Sequence, residues 1–214
     1  MSKYGYIGPD SATPTQSPRN NTGVFSITDQ RKLLDVNKFT SLGQLELIET
    51  QAKASAAAAI DFTNLGNYDV HMMTISDYQA ATDGQTMGLR FSVNGGTTFI
   101  SSGYQWAGQN GQGNGTFYEY RATGSTYLEI NRFNGSAARE NANAYIYFYH
   151  LSDPTHFSHF SYHCTYTAEY TERQAFQYGV GIDDTALGIN AIRLFANSGN
   201  CSADVSLYGV KYYE

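Results

Sequence analysis

Three histidines come closest to a metal-binding pattern in this sequence. His156, His159 and His163 follow the spacing H-x2-H-x3-H, which on a helix would turn three imidazoles toward one face. The residues around them, Phe157, Phe160, Tyr162, Cys164, Thr165 and Tyr166, favour a strand instead. On a strand His156 and His159 point to opposite faces, and His159 and His163 share a face about 13 Å apart. That is too far for one ion, so the histidines are read as structural and no metal is expected. The alternative is a metal on a symmetry axis, taking one imidazole from each subunit.

Carboxylates are the next candidates. Asp183-Asp184 follows Gly179-Val-Gly181, and Glu169 and Glu172 flank another turn. A glycan hydrolase needs two carboxyl groups at a set separation across a cleft. Adjacent turn acids give no such indication and read as solvated loop residues. No G-x-S-x-G motif occurs, and neither Cys164 nor Cys201 has a catalytic neighbourhood. The two cysteines read as small buried hydrophobes made in a reducing compartment. No catalytic residue and no cofactor is therefore assigned. Trp106, with Tyr104, Phe117, Tyr118 and Tyr120 nearby in the chain, is a candidate carbohydrate-stacking platform, with Tyr104, Trp106 and Tyr118 as its core.

The elements that must position these residues are written in the composition. Eighteen tyrosines and twelve phenylalanines give an aromatic content of 14 %, and both types favour pleated, half-buried positions. Charged residues make up only 15 %, below the usual quarter, so the surface is polar mainly through amides, hydroxyls and phenols. The net charge of −6 argues against a nucleic-acid partner, which requires clustered Lys and Arg. Charge is also uneven. Residues 1–42 carry five basic side chains against three acids, for +2, and the remainder carries −8. There is no apolar run long enough to span a bilayer, and the polar start of the chain does not read as a signal peptide.

Residues 1–42 are expected to form an N-terminal docking arm with one short helix. Pro9, Pro14 and Pro18 sit among small polar residues, with Tyr4, Tyr6 and Ile7 as apolar anchors. So few apolar side chains cannot bury a core, so the arm is expected to grip a neighbouring subunit. Ser26 can cap a helix over 26–39, with Ile27, Leu33 and Leu34 as its apolar side.

Residues 43–214 read as a β-sandwich domain of the jelly-roll kind, built from about a dozen short strands. Phe91-Ser-Val-Asn-Gly-Gly-Thr-Thr-Phe99 predicts a tight hairpin at Asn94-Gly95 with a second strand over 97–101. Ala107–Gly115 (AGQNGQGNG) reads as a flexible loop without the lysine and helix of a phosphate cradle. Tyr145-Ile-Tyr-Phe-Tyr149 is apolar on both faces, as in a strand covered on both sides or lying at an interface.

Leu89–Phe99 with Ser102-Gly-Tyr-Gln-Trp106, and Ile189–Asn200 closing on Val205-Ser-Leu-Tyr-Gly-Val210, resemble a pattern in structural proteins of tailed bacteriophages, including cyanophages. Thr22-Gly-Val-Phe-Ser26 resembles a segment found upstream of such modules. The pattern departs at Ala203-Asp204, where the family has a glycine before its last strand. The resemblance implies a non-enzymatic virion protein, made in the host cytoplasm and carried as a tail-fibre, baseplate or capsid-decoration component. It implies a homotrimer whose arm docks on other virion proteins while the sandwich projects. A receptor module for host surface glycans is the alternative, and a glycan hydrolase the further one. Neither nucleic acid nor membrane insertion is expected.

Overall fold

The computed structural model describes residues 15–17, 20–22, 31, 45–169, 173–185 and 187–210. The chain divides into two units, residues 1–44 with 211–214, and Leu45–Val210. In the first, β1 (Thr15–Ser17) pairs antiparallel with β2 (Asn20–Thr22). Of the helix expected over 26–39, Arg31 alone is described, and its backbone is helical. Tyr4, Tyr6 and Ile7 lie outside the described residues.

The second unit is an all-β sandwich of two antiparallel sheets. Its strands are β3 (Leu45–Ala57), β4 (Ile60–Phe62), β5 (Val70–Ala80), β6 (Met87–Ser92), β7 (Tyr104–Gln112) and β8 (Phe117–Ser125). They continue as β9 (Leu128–Glu129), β10 (Ala142–Tyr149), β11 (Ser158–Ala168), β12 (Arg173–Asp183), β13 (Ala191–Ala196) and β14 (Cys201–Val210). The larger sheet runs β3-β14-β5-β10-β11-β12-β7-β8 and the smaller β4-β13-β6-β9. When β7, β8, β11 and β12 are set aside, the remaining strands in chain order pair as 1-8-3-6 and 2-7-4-5. That is the double Greek key of a jelly roll. The β7–β8 and β11–β12 hairpins are insertions that widen one sheet only.

Strand alternation builds the core. In β11, Phe160, Tyr162, Cys164 and Tyr166 turn inward, while His159, Ser161, His163 and Thr165 turn outward. Ile146 and Phe148 of β10 face inward beside them. The smaller sheet contributes Ile60, Phe62, Leu89, Phe91, Ile192 and Leu194, all fully buried. Ala203-Asp204 falls inside β14, where register shifts against both β3 and β5 mark a bulge. A bulge bends the strand without requiring glycine.

Two local expectations are corrected. Ala107–Gln112 is not a loop: it belongs to β7, hydrogen-bonded to β8 on one side and β12 on the other. Its glycines are needed because neighbouring rings occupy the space of side chains. A β-carbon on Gly111 would collide with the Phe176 ring. Residues 97–101 form no strand. Asn94 caps a wider turn, its side chain accepting from Thr98 N at 3.0 Å, and Gly95 and Gly96 both have positive φ. Between β8 and β10 the chain forms one strand of two residues, Leu128–Glu129.

Candidate functional site

Register pairing fixes which side chains share a face of the larger sheet. Tyr104, Trp106, Asn110, Tyr118 and Tyr120 face the sandwich interior, as do Gln177, Gly179 and Gly181 opposite them. Gln105, Ala107, Gln109, Glu119, Arg121, Tyr178 and Val180 face outward.

This overturns the expected stacking platform. Tyr104 is fully buried; its hydroxyl donates to Ile100 O at 3.2 Å and accepts from Phe91 N at 2.8 Å. Trp106 is also buried, with its indole nitrogen unpartnered. Neither ring offers a face to a ligand: both turn into the core, where Tyr104 meets Phe91 edge-on at 5.9 Å. Tyr118 stays exposed at the sheet end and leans on Tyr120, ring centroids 6.0 Å apart.

The backing segment carries a buried polar cluster. Arg132 Nε lies 2.5 Å from Glu129 Oε1 and the guanidinium covers the Tyr120 ring at 4.2 Å. Burial pushes the Glu129 carboxyl up against the pull of Arg132. Gln177 Nε2 donates to Tyr162 Oη at 2.9 Å, and Asn110 donates to Tyr166 Oη. Glu129, Gln177 and Asn110 are buried while Arg132 stays one-third exposed, so the cluster joins the insertion to the body at its edge.

The outward face is different in kind. On the smaller sheet the outward aromatics are covered by cations: Arg193 grips Asp61 through two bonds of 2.7 and 2.6 Å and covers Phe99 at 3.9 Å, and Arg90 covers Phe195 at 4.8 Å. On the larger sheet they meet one another. Tyr145 stacks on His163 at 5.6 Å and meets Tyr147 edge-on at 6.3 Å. Phe176 lies parallel to Tyr178 at 6.1 Å, and Phe117 packs edge-on against Phe176. Phe117 is 64 % exposed, Tyr145 46 % and Tyr178 45 %. Polar residues ordinarily occupy the solvent side of an antiparallel sheet, so this ladder calls for a partner.

Two depressions cross the same face. One of about 710 Å³ is lined by Gln109, Glu119, Arg121, Tyr178 and the Gly108–Gly179 pair. The other, of about 560 Å³, includes Gln105, Thr123, Tyr149, His159 and Ile182. They share Ala107, Arg121 and Val180 and so form one groove. Glu119 is the sole carboxylate among its described lining residues, and no second acid stands across from it to complete a hydrolytic pair. The signal for this site lay in the alternation of 174–182: Phe176, Tyr178, Val180 and Ile182 share one face.

The remaining candidates are dispersed. His156 precedes β11 and pairs with Asp153 at 2.7 Å while stacking on His150; His159 and His163 lie on the outward face. No group of three potential metal ligands occurs among the described residues. Asp183 is not solvated but fully buried, its Oδ1 accepting from Thr185 N and Oγ1 at 3.1 and 2.7 Å, its Oδ2 unpartnered. Cys164 and Cys201 are free and buried, and burial pushes both thiols up. Among the described residues no helix is long and apolar enough to cross a membrane. No family model, curated protein or solved structure matches the chain.

Proposed function

We propose that the chain is a non-enzymatic structural protein of a virion, a jelly-roll body that assembles with copies of itself through the Tyr145–His163 part of the outward face of its larger sheet. The observation that carries this reading is the aromatic ladder of Tyr145, Tyr147 and His163 on that face. Interface cores are enriched in aromatics and depleted of Lys, Glu and Asp, and contiguous exposed apolar surface marks contact sites. The tailed-bacteriophage resemblance of Leu89–Trp106 and Ile189–Val210 supplies the kind of assembly, a tail-fibre, baseplate or capsid-decoration component. Residues 1–42 are its docking arm on other virion proteins.

Sedimentation equilibrium on the full chain tests this directly. Three copies are expected, with Tyr145→Glu giving a folded monomer because a charge would have to be desolvated in the contact. A wild-type monomer at the highest soluble concentration removes the self-assembly reading.

A further inference from the structure

We propose that the outward groove between β8 and β11 binds a neutral oligosaccharide, with Tyr178 as the stacking residue. The Tyr178 ring is exposed, yet its position is fixed before any ligand arrives. One side of it lies parallel to Phe176, with an interplanar angle of 4°, and its hydroxyl donates to Gln109 Oε1 at 2.5 Å. A pinned aromatic loses little freedom on binding, so stacking energy is not spent on ordering the ring. Beside it the floor is bare. Ala107 of β7, level with Val180 of β12 and Arg121 of β8, brings only a methyl group to this face, leaving depth between its taller neighbours.

Charge and hydrogen bonding narrow the ligand class. Arg121 and Glu119 are two positions apart on one face of β8, so a cation or an anion in the groove meets one like charge for each opposite one. Most remaining polar lining groups are neutral amides and hydroxyls such as Gln109, Gln105 and Thr123. An apolar floor with an aromatic wall and neutral hydrogen-bonding groups matches a sugar ring, which has apolar C–H faces and hydroxyls at its edge. An extended peptide fits less well, since its main chain would seek strand partners. The backbone of β7 under the groove is already paired on both sides, to β8 and β12.

Titration calorimetry on the full chain tests the assignment. The probes are neutral gluco-, manno- and galacto-configured tetrasaccharides, a sialylated and a sulfated tetrasaccharide, and a random-sequence peptide pool. At least one neutral tetrasaccharide should bind. Tyr178→Ala should weaken it at least tenfold, Tyr178→Phe less, and Val93→Ala, outside the groove, not at all. In the unmodified protein the Gln109 side-chain amide and the Val180 methyl resonances should shift on binding, which keeps the test independent of how the variants fold. No binding by any neutral probe, preference for the charged probes or the peptides, or binding indifferent to Tyr178→Ala with those resonances unmoved would each overturn the assignment. A monomeric chain carries the same groove, so this result and the sedimentation result fail separately.

Discussion

Gly108 of β7 and Gly179 of β12 stand directly opposite each other, and Tyr162 of β11 fills the space beneath them. A β-carbon on Gly108 would lie 2.8 Å from Tyr162 Oη, and one on Gly179 would lie 2.9 Å from Tyr162 Cε1 and 2.5 Å from Ala107 O. Glycine is therefore required here by close packing rather than by backbone angle, and the pair lets a tyrosine of one strand tuck under two others.

Alanine at either position should be costly. Both meet backbone as well as ring, Gly108 at Tyr178 O (2.8 Å) and Gly179 more tightly at Ala107 O (2.5 Å), and for Gly179→Ala a loss of about 1–3 kcal/mol is expected from overpacking. Urea unfolding midpoints measure it. Equal stability of wild type and Gly179→Ala would mean that β12 sits further from β7 than the structure places it.

Asp183 gives a pH-dependent prediction. Burial raises its folded-state pKa, with Thr185 donors opposing and neighbouring Asp184 adding to the rise. The unfolded value is about 3.9. Below it both states hold the proton and nothing is lost. As pH rises from there toward the folded value, the unfolded chain releases the proton first, so stability falls. Asp183→Asn removes that loss, keeps an acceptor for Thr185, and puts an amide where Oδ2 has no partner. The stability of the variant relative to wild type should thus be greater at pH 7 than at pH 3. Denaturant melts at the two pH values that show the same difference, or the reverse, would refute it.

The sandwich was legible because alternation survives in strands such as Ser158–Ala168, where every second residue from Phe160 on is apolar or aromatic. β7 was not, because the glycines that signal a loop in isolation are there to accommodate Tyr162 and Phe176, residues more than 50 positions away. The same cause hid the groove. Trp106 looked like the ligand-facing aromatic because tryptophan is the larger ring, but register sends it inward and Tyr178 outward. Which face a strand residue takes depends on its pairing partners, and those are set by β12, far along the chain.

The thiols should be silent in the folded protein. Cys164 and Cys201 are both fully buried, and burial disfavours their reactive thiolate forms. A thiol-specific disulfide reagent at mildly alkaline pH should titrate none of them in buffer and both after unfolding in denaturant. Rapid reaction of either without denaturant would show that the core around Tyr78 opens locally.

Gly95 isolates the cost of backbone angle from the cost of packing. Its φ is +68°, and a β-carbon added there would meet nothing within 4 Å. Its amide donates to Asn190 Oδ1 at 2.8 Å, a bond that any residue at this position could keep. The left-handed conformation costs a side-chain-bearing residue about 1–2 kcal/mol, less for asparagine and more for a β-branched one. Thermal stability should therefore fall in the order glycine, asparagine, alanine, valine, with Gly95→Ala losing about 1 kcal/mol or slightly more. At neighbouring Gly96 the added atom would approach Thr63 Cγ2 at 3.1 Å, so alanine there should cost more than at Gly95. A melting series in which Gly95→Val matches wild type would show that the turn at 94–96 has a different backbone path.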